Sequence, residues 1–149
     1  MNVPGTVSEI LSHKRPEVWS VPPDSTVLQA IQMMADKNVG ALPVMEGNRL
    51  VGIISERDYT RKVVLKGRSS RETPVRDIIS TDLTVVALAD TIVECMRLMT
   101  EKKVRHLPVL DGQNMVGIVS IGDLVNWIIS AQTAAIEQLQ KYITGEYPA

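Results

Sequence analysis

Residues 39–58 of this chain read Val-Gly-Ala-Leu-Pro-Val-Met-Glu-Gly-Asn-Arg-Leu-Val-Gly-Ile-Ile-Ser-Glu-Arg-Asp, and residues 104–123 read Val-Arg-His-Leu-Pro-Val-Leu-Asp-Gly-Gln-Asn-Met-Val-Gly-Ile-Val-Ser-Ile-Gly-Asp. A shift of 65 residues carries Pro43 onto Pro108, Gly47 onto Gly112, Gly52 onto Gly117, Ser55 onto Ser120 and Asp58 onto Asp123 without a gap. Of these 20 positions 10 are identical, and among the others Met45/Leu110, Leu50/Met115 and Ile54/Val119 exchange one apolar residue for another. A duplication inside 149 residues leaves room for two half-sized units that share an interface rather than one large core. The boundaries this implies are a first unit at 1–66, a linker at 67–74, a second unit at 75–130 and a helical extension at 131–149.

The same shift organises the flanking chain. Thr6 to Leu11 can form a helical turn, and Val75 to Ile79 opens the second unit in the same way. Glu17 to Val21 and Leu83 to Val86 have the composition of short strands, the first stopped by Pro22-Pro23. Thr26 and Thr91 then stand at helix starts, where a hydroxyl can accept from an unpaired N–H. Behind them Val27, Ala30, Ile31 and Met34, and likewise Ile92, Cys95, Met96 and Met99, form one apolar face. Each Leu-Pro-Val segment, Gly-centred turn and Val-Gly-Ile segment predicts a hairpin, followed by a helix from Ser55 to about Leu65 and from Ser120 onward. Each unit thus reads strand, helix, strand, strand, helix: an α+β fold with a small mixed sheet and helices packed on it. From Asn126 to Gly145 the last helix outruns its counterpart, and Ile128, Ala131, Ala135, Leu139 and Tyr142 suit packing on the body or on a second subunit.

Composition narrows the function classes. With a net charge of −1 and 44% hydrophobic residues, neither disorder nor a general polyanion-binding surface is expected. Apolar runs are too short for a membrane span, no signal-peptide pattern opens the chain, and one cysteine, Cys95, makes no internal disulfide. A soluble, cytoplasmic protein is the expectation. Segment 57–76 carries Arg57, Arg61, Lys62, Lys66, Arg68, Arg71 and Arg76, with Glu56, Asp58 and Glu72 against them. A solvated helix face and linker explains this better than a nucleic-acid site, and 3% aromatic content with no Phe offers little for base stacking. His13 and His106 are far apart with no acidic or cysteine cluster nearby, which argues against a metal site. On its apolar face Cys95 reads as core rather than nucleophile.

The duplicated Leu-Pro-Val strand, Gly turn, Val-Gly-Ile strand and Ser-x-x-Asp resemble the cystathionine-β-synthase (CBS) domain, whose tandem pair forms a Bateman module. The resemblance covers nearly the whole chain. It implies two repeats related by a pseudo-twofold axis, with clefts for adenosine-containing ligands such as AMP, ADP, ATP, S-adenosylmethionine or NAD. It also implies that each cleft joins the Ser-x-x-Asp of one repeat to the first strand and the residues before Leu-Pro-Val of the other. One site would then use Ser55 and Asp58 with Thr84, Val86, Val104, Arg105 and His106. The other would use Ser120 and Asp123 with Ser20, Val39, Gly40 and Ala41, and Arg57 is a further phosphate candidate.

Physical chemistry supports part of this. Ser55 and Ser120 stand where a strand hands over to a helix, a place where free N–H groups face an anion. Asp58 and Asp123, three residues on, can accept two hydrogen bonds from a ribose diol. A plain capping pair, with Ser at the N-cap and Asp at N3, is the competing explanation. Arg105 and His106 can donate to phosphate where Gly40 and Ala41 cannot, so unequal affinities are expected. The function implied is a non-catalytic regulatory module, homodimeric, that senses adenine nucleotides and signals to a partner protein. A structural dimerisation scaffold, or nucleic-acid binding through segment 57–76, are the alternatives.

Overall fold

In a computed structural model, which describes residues 3–14 and 17–144 apart from the Tyr142 side chain, the chain divides into two compact units. Unit 1 comprises residues 1–16, 86–109 and 118–149, and unit 2 comprises residues 17–85 and 110–117. The elements in chain order are α1 (Val7–Ser12), α2 (Val27–Lys37), β1 (Ala41–Glu46), β2 (Arg49–Ser55), α3 (Glu56–Tyr59), β3 (Val86–Ala87), α4 (Ile92–Lys102), β4 (His106–Asp111), β5 (Asn114–Ser120) and α5 (Ile121–Ile143). Strands β1 and β2 pair antiparallel from Ala41 opposite Ser55 to Glu46 opposite Arg49, with an irregularity between Val44 and Met45. A second sheet has the order β3-β4-β5.

The helix starts follow from side-chain chemistry. The Thr26 hydroxyl accepts from the Gln29 N–H while the Gln29 side chain accepts from the Thr26 N–H, and Thr91 caps α4 through the Glu94 N–H. Both helices end on a residue in the left-handed region, Asn38 and Lys103, each with φ of 55°. Between these ends α2 buries Val27, Ala30 and Met34, and α4 buries Ile92, Cys95 and Met99.

Each unit has its own apolar core, assembled from equivalent positions. In unit 2, Leu42, Val44 and Ile54 of the hairpin meet the buried face of α2 together with Val63, Val75 and Ile78. In unit 1, Leu107, Val109 and Val119 meet α4 together with Val7, Ile10, Val86 and Leu124. The segment that opens each repeat therefore packs with the other repeat's helix and hairpin. Backbone bonds fix this exchange: Val7 N–H donates to Asp90 O at 2.9 Å in unit 1, and Val75 N–H to Ser25 O at 2.7 Å in unit 2. Gly5 leaves room for the ring of Trp127, since a Cβ there would stand 2.6 Å from it, and the Trp127 indole N–H donates to Pro4 O at 2.8 Å.

Four expectations from sequence change. The strand expected at 17–21 shrinks to a single parallel bridge from Val21 to Val44, because Pro22 and Pro23 have no N–H with which to continue a ladder. The strand expected at 83–86 is the two residues of β3. The helix expected from Ser55 to Leu65 is α3 followed by a π-helical turn at Thr60–Val64, which brings Val63 into the core. The opening segments also differ, α1 being α-helical and Val75–Asp77 a 3-10 turn. On α5, Ile128 packs on the core and Ala131 is half-buried, whereas Ala135 and Leu139 are exposed. Tyr142 and Gly145, the other ends of that expectation, lie outside the described side chains and residues.

Among the described residues no helix is long and apolar enough to cross a membrane. In β2, Gly52 is buried, and a Cβ on it would meet Ile79 Cδ1 at 2.6 Å and Ser80 O at 3.0 Å. The Gly52→Val substitution should lower unfolding stability by about 1–3 kcal/mol through overpacking, read as a lower urea midpoint with an unchanged m-value.

Candidate functional site

Both Ser-x-x-Asp segments sit at a strand-to-helix junction, and both carboxylates are occupied in holding it. In unit 2, Asp58 Oδ2 accepts from the Ser55 N–H at 2.9 Å and from Ser55 Oγ at 3.0 Å, while the Asp58 N–H donates to Ser55 Oγ at 3.2 Å. In unit 1, Asp123 Oδ2 accepts from the Ser120 N–H at 2.8 Å, and the Asp123 N–H donates to Ser120 Oγ at 3.1 Å. This is the reciprocal cap that satisfies the orphan donors of a helix start. It leaves each carboxylate half-buried rather than covered.

A lysine stands beside each carboxylate, and the two lysines arrive by different routes. Lys62, one turn along from Asp58, places Nζ 3.2 Å from Oδ1 and donates to Ile78 O at 2.9 Å. Lys14, in the chain after α1, places Nζ 2.7 Å from Asp123 Oδ2 and donates to Ile118 O at 2.7 Å. Lys62 thus lies against the oxygen that the cap leaves over, whereas Lys14 shares the oxygen already used by the cap. Beside Asp123 lies a cleft of about 420 Å³ lined by Ile10, His13, Lys14, Asn126, Trp127 and Ser130, with His13 edge-on to Trp127 at 5.8 Å between ring centres. That volume is in the range of small-molecule sites, about 300–1,000 Å³.

The other candidate residues are sorted by unit. Unit 2 holds Ser20, Val39, Gly40, Ala41, Ser55, Arg57, Asp58 and Thr84; unit 1 holds Val86, Val104, Arg105, His106, Ser120 and Asp123. Within unit 2 the Gly40 carbonyl accepts from the Glu56 N–H at 3.1 Å, so Gly40 and Ala41 flank Ser55 and Asp58. Within unit 1 the Arg105 carbonyl accepts from the Ile121 N–H at 2.9 Å, which sets Arg105 and His106 beside Ser120 and Asp123. Val86 and Ala41 are buried, so they present backbone rather than side chain. Arg57 and Ser20 are exposed, and Thr84 and Val104 are half-buried. Trp19 has Lys37 Nζ over its ring at 3.9 Å, so one face of the indole is taken.

Electrostatics distinguish the two units. Burial pushes the His106 imidazole below its ordinary range; the Asp123 carboxylate pulls it back up, and Lys14 and Arg105 add to the lowering. His106 is therefore a neutral donor and acceptor, where Ala41 occupies the equivalent position in unit 2. Burial, with Asp90 and Glu94 adding to it, pushes the Cys95 thiol up to about 11, which leaves it unreactive. Among the described residues no group of three or more His, Cys, Asp or Glu is placed to hold a metal ion. Of the basic residues in segment 57–76, Lys62, Arg68 and Arg76 are paired with Asp58, Asp77 and Asp24.

Sequence reasoning missed Lys14, Lys62, Asn126 and Trp127. Lys62 was visible as an i+4 neighbour of Asp58. Lys14 lies 109 residues from its partner, and no local pattern joins them.

The family model for the CBS domain matches residues 7–65 and 75–130. The chain is 38% identical over 152 residues to the mitochondrial CBS domain-containing protein CBSX3 of Arabidopsis thaliana, an alignment covering 95% of this chain and 73% of that protein. A structure of a protein with CBS domains from Burkholderia ambifaria superimposes with a TM-score of 0.83 at 45% identity, covering 86% of this chain and 96% of that one. The CBS domain pair of protein MJ0100, solved with 5′-methylthioadenosine and S-adenosyl-L-methionine, has a TM-score of 0.73 at 20% identity, over 82% of this chain and 94% of that one. At that identity it shows a shared fold.

The lowered His106 basicity fixes a pH dependence. Above about pH 6.5 the imidazole is neutral folded or unfolded. As pH falls through that value the unfolded chain takes up the proton first, so stability declines until His106 protonates in the folded protein too. Between pH 6.5 and 5 the wild type should lose stability more steeply than His106→Gln, by at most about 1.4 kcal/mol per pH unit, checked by urea unfolding at several pH values.

Proposed function

Given that the chain belongs to the CBS-domain family and carries that domain twice, we propose that it is a regulatory module, homodimeric and without chemistry of its own, that binds an adenosine-containing nucleotide. AMP, ADP, ATP and NAD are the candidates, and binding is passed to a partner protein as a change of conformation. Support comes from one observation above the rest. The Asp123 carboxylate, fixed by the Ser120 N–H, borders an open cleft that is also lined by a lysine and a tryptophan. A ribose diol donates two hydrogen bonds to a carboxylate, an aromatic face suits a base, and a lysine suits phosphate.

The lysine beside Asp123 makes phosphate-bearing ligands the better fit. A neutral nucleoside would leave Lys14 with no anion except Asp123, whereas a nucleotide supplies a second. At Asp58 the arrangement is less open, because a diol approaching Oδ1 meets Lys62 there. On this reading Asp123 is the stronger ribose acceptor and the two positions bind unequally. Conformational signalling then follows from differential affinity: a ligand that contacts one arrangement better than another enriches it. The MJ0100 pair, with its adenosine-derived molecules, shows that this fold can take ligands of the class.

Titration calorimetry with AMP, ADP, ATP and NAD on the wild type, Asp123→Asn and Asp58→Asn tests the reading. Hydrogen bonds to a charged acceptor contribute about 1.5–3 kcal/mol, so Asp123→Asn should weaken the bound nucleotide at least tenfold while Asp58→Asn weakens it less. Heat-free titrations with all four nucleotides would remove the sensor reading and favour a dimerisation scaffold.

A further inference from the structure

Helix α5 changes character halfway along. Its proximal part seats Leu124, Trp127 and Ile128 in the core of unit 1, but every residue from 132 to 141 is exposed. At 3.6 residues per turn, Val125, Ile129, Gln132, Ile136, Leu139 and Ile143 fall within about 40° of one direction, and the core-facing residues centre roughly 110° away from it. Ile129, Ile136, Leu139 and Ile143 are 55%, 57%, 59% and 74% exposed. Alternating steps of three and four residues are the heptad signature, with Ile129, Ile136 and Ile143 at a and Val125, Gln132 and Leu139 at d.

We propose that this stripe is a self-pairing seam, through which two copies of the chain associate as a parallel, in-register, two-stranded coiled coil from Val125 to Ile143. The residue choice selects that partner. Isoleucine at all three a positions, with Leu139 as the one leucine at d, follows the pattern that favours two parallel strands. Gln132 at d then meets Gln132 of the second copy, amide to amide. In an antiparallel or staggered pair it would be buried against aliphatic side chains without a partner, a costly arrangement. The e and g positions on either side, Asn126, Thr133 and Gln140 at e and Ile128, Ala135 and Tyr142 at g, carry no charge at neutral pH, so nothing repels an identical helix. Glu137 and Lys141 sit on the outward positions, where they keep the free helix soluble.

The seam is about 27 Å long. That places the pair near the lower end of specific interfaces, about 1,200 Å² in total, and makes association reversible and dependent on concentration. It gives a location to the homodimer proposed above and does not depend on nucleotide binding.

Sedimentation velocity on the full chain over a range of concentrations provides the test, with Leu139→Asp on the seam and Gln138→Asp on the outward face. Wild type and Gln138→Asp should reach twice the mass of Leu139→Asp, with all three melting alike when dilute because both positions are exposed. Under mild oxidation Gln132→Cys should form a disulfide-linked dimer that the wild type, with only the buried Cys95, does not. Should Leu139→Asp keep the wild-type mass, the seam is refuted, and a mass still dimeric would leave the homodimer standing on another face. Failure of Gln132→Cys to cross-link would overturn the parallel register.

Discussion

The hydrogen bond from the Ser N–H to the Asp carboxylate three residues later is the contact on which each half of this protein turns. It is made at 2.9 Å in unit 2 and at 2.8 Å in unit 1. A strand leaving a hairpin must release its backbone from the sheet before a helix can begin, and the first helical N–H groups then lack partners. The cap supplies them, and in doing so it holds a carboxylate half-buried at the end of a sheet. One oxygen is committed to the fold, so whatever the residue does for a ligand must be done largely with the other.

That division of labour makes the lysines decisive. Lys62 lies along the remaining oxygen of Asp58, while Lys14 crowds the committed oxygen of Asp123. Two sequences that agree at Ser and Asp therefore present different acceptors. His106 deepens the difference: it is kept neutral by burial beside Asp123, at a position where the other repeat has only the methyl of Ala41. Duplication produced two like frames, and divergence at a few polar positions gave them unlike chemistry.

The exchange of opening segments has an energetic logic. A half-sized repeat buries too little apolar surface to be stable alone. Val7 and Ile10 complete a core built on α4 and the second hairpin, and Val75 and Ile78 complete the one built on α2 and the first. Each repeat thus lends the other a few of its buried side chains. Neither core is complete until the chain has passed through both repeats.

The amino-acid sequence by itself determined the repeat, the apolar faces of α2 and α4, both hairpins, the threonine and serine caps and the place of Asp58 and Asp123 one turn into the helices that follow. All of these are set by contacts within a few residues, and periodicity and capping chemistry report such contacts directly. It carried the heptad along α5 too, although a stripe centred on Ile128 and Ala131 was the more obvious one until burial separated the two faces. Only the tertiary structure decided which repeat each opening segment completes, that Lys14 reaches across 109 residues to Asp123, and that Trp127 fits over Gly5. Those outcomes depend on pairs of positions far apart in the chain, where the free energy of packing selects the partner and no local pattern records the choice.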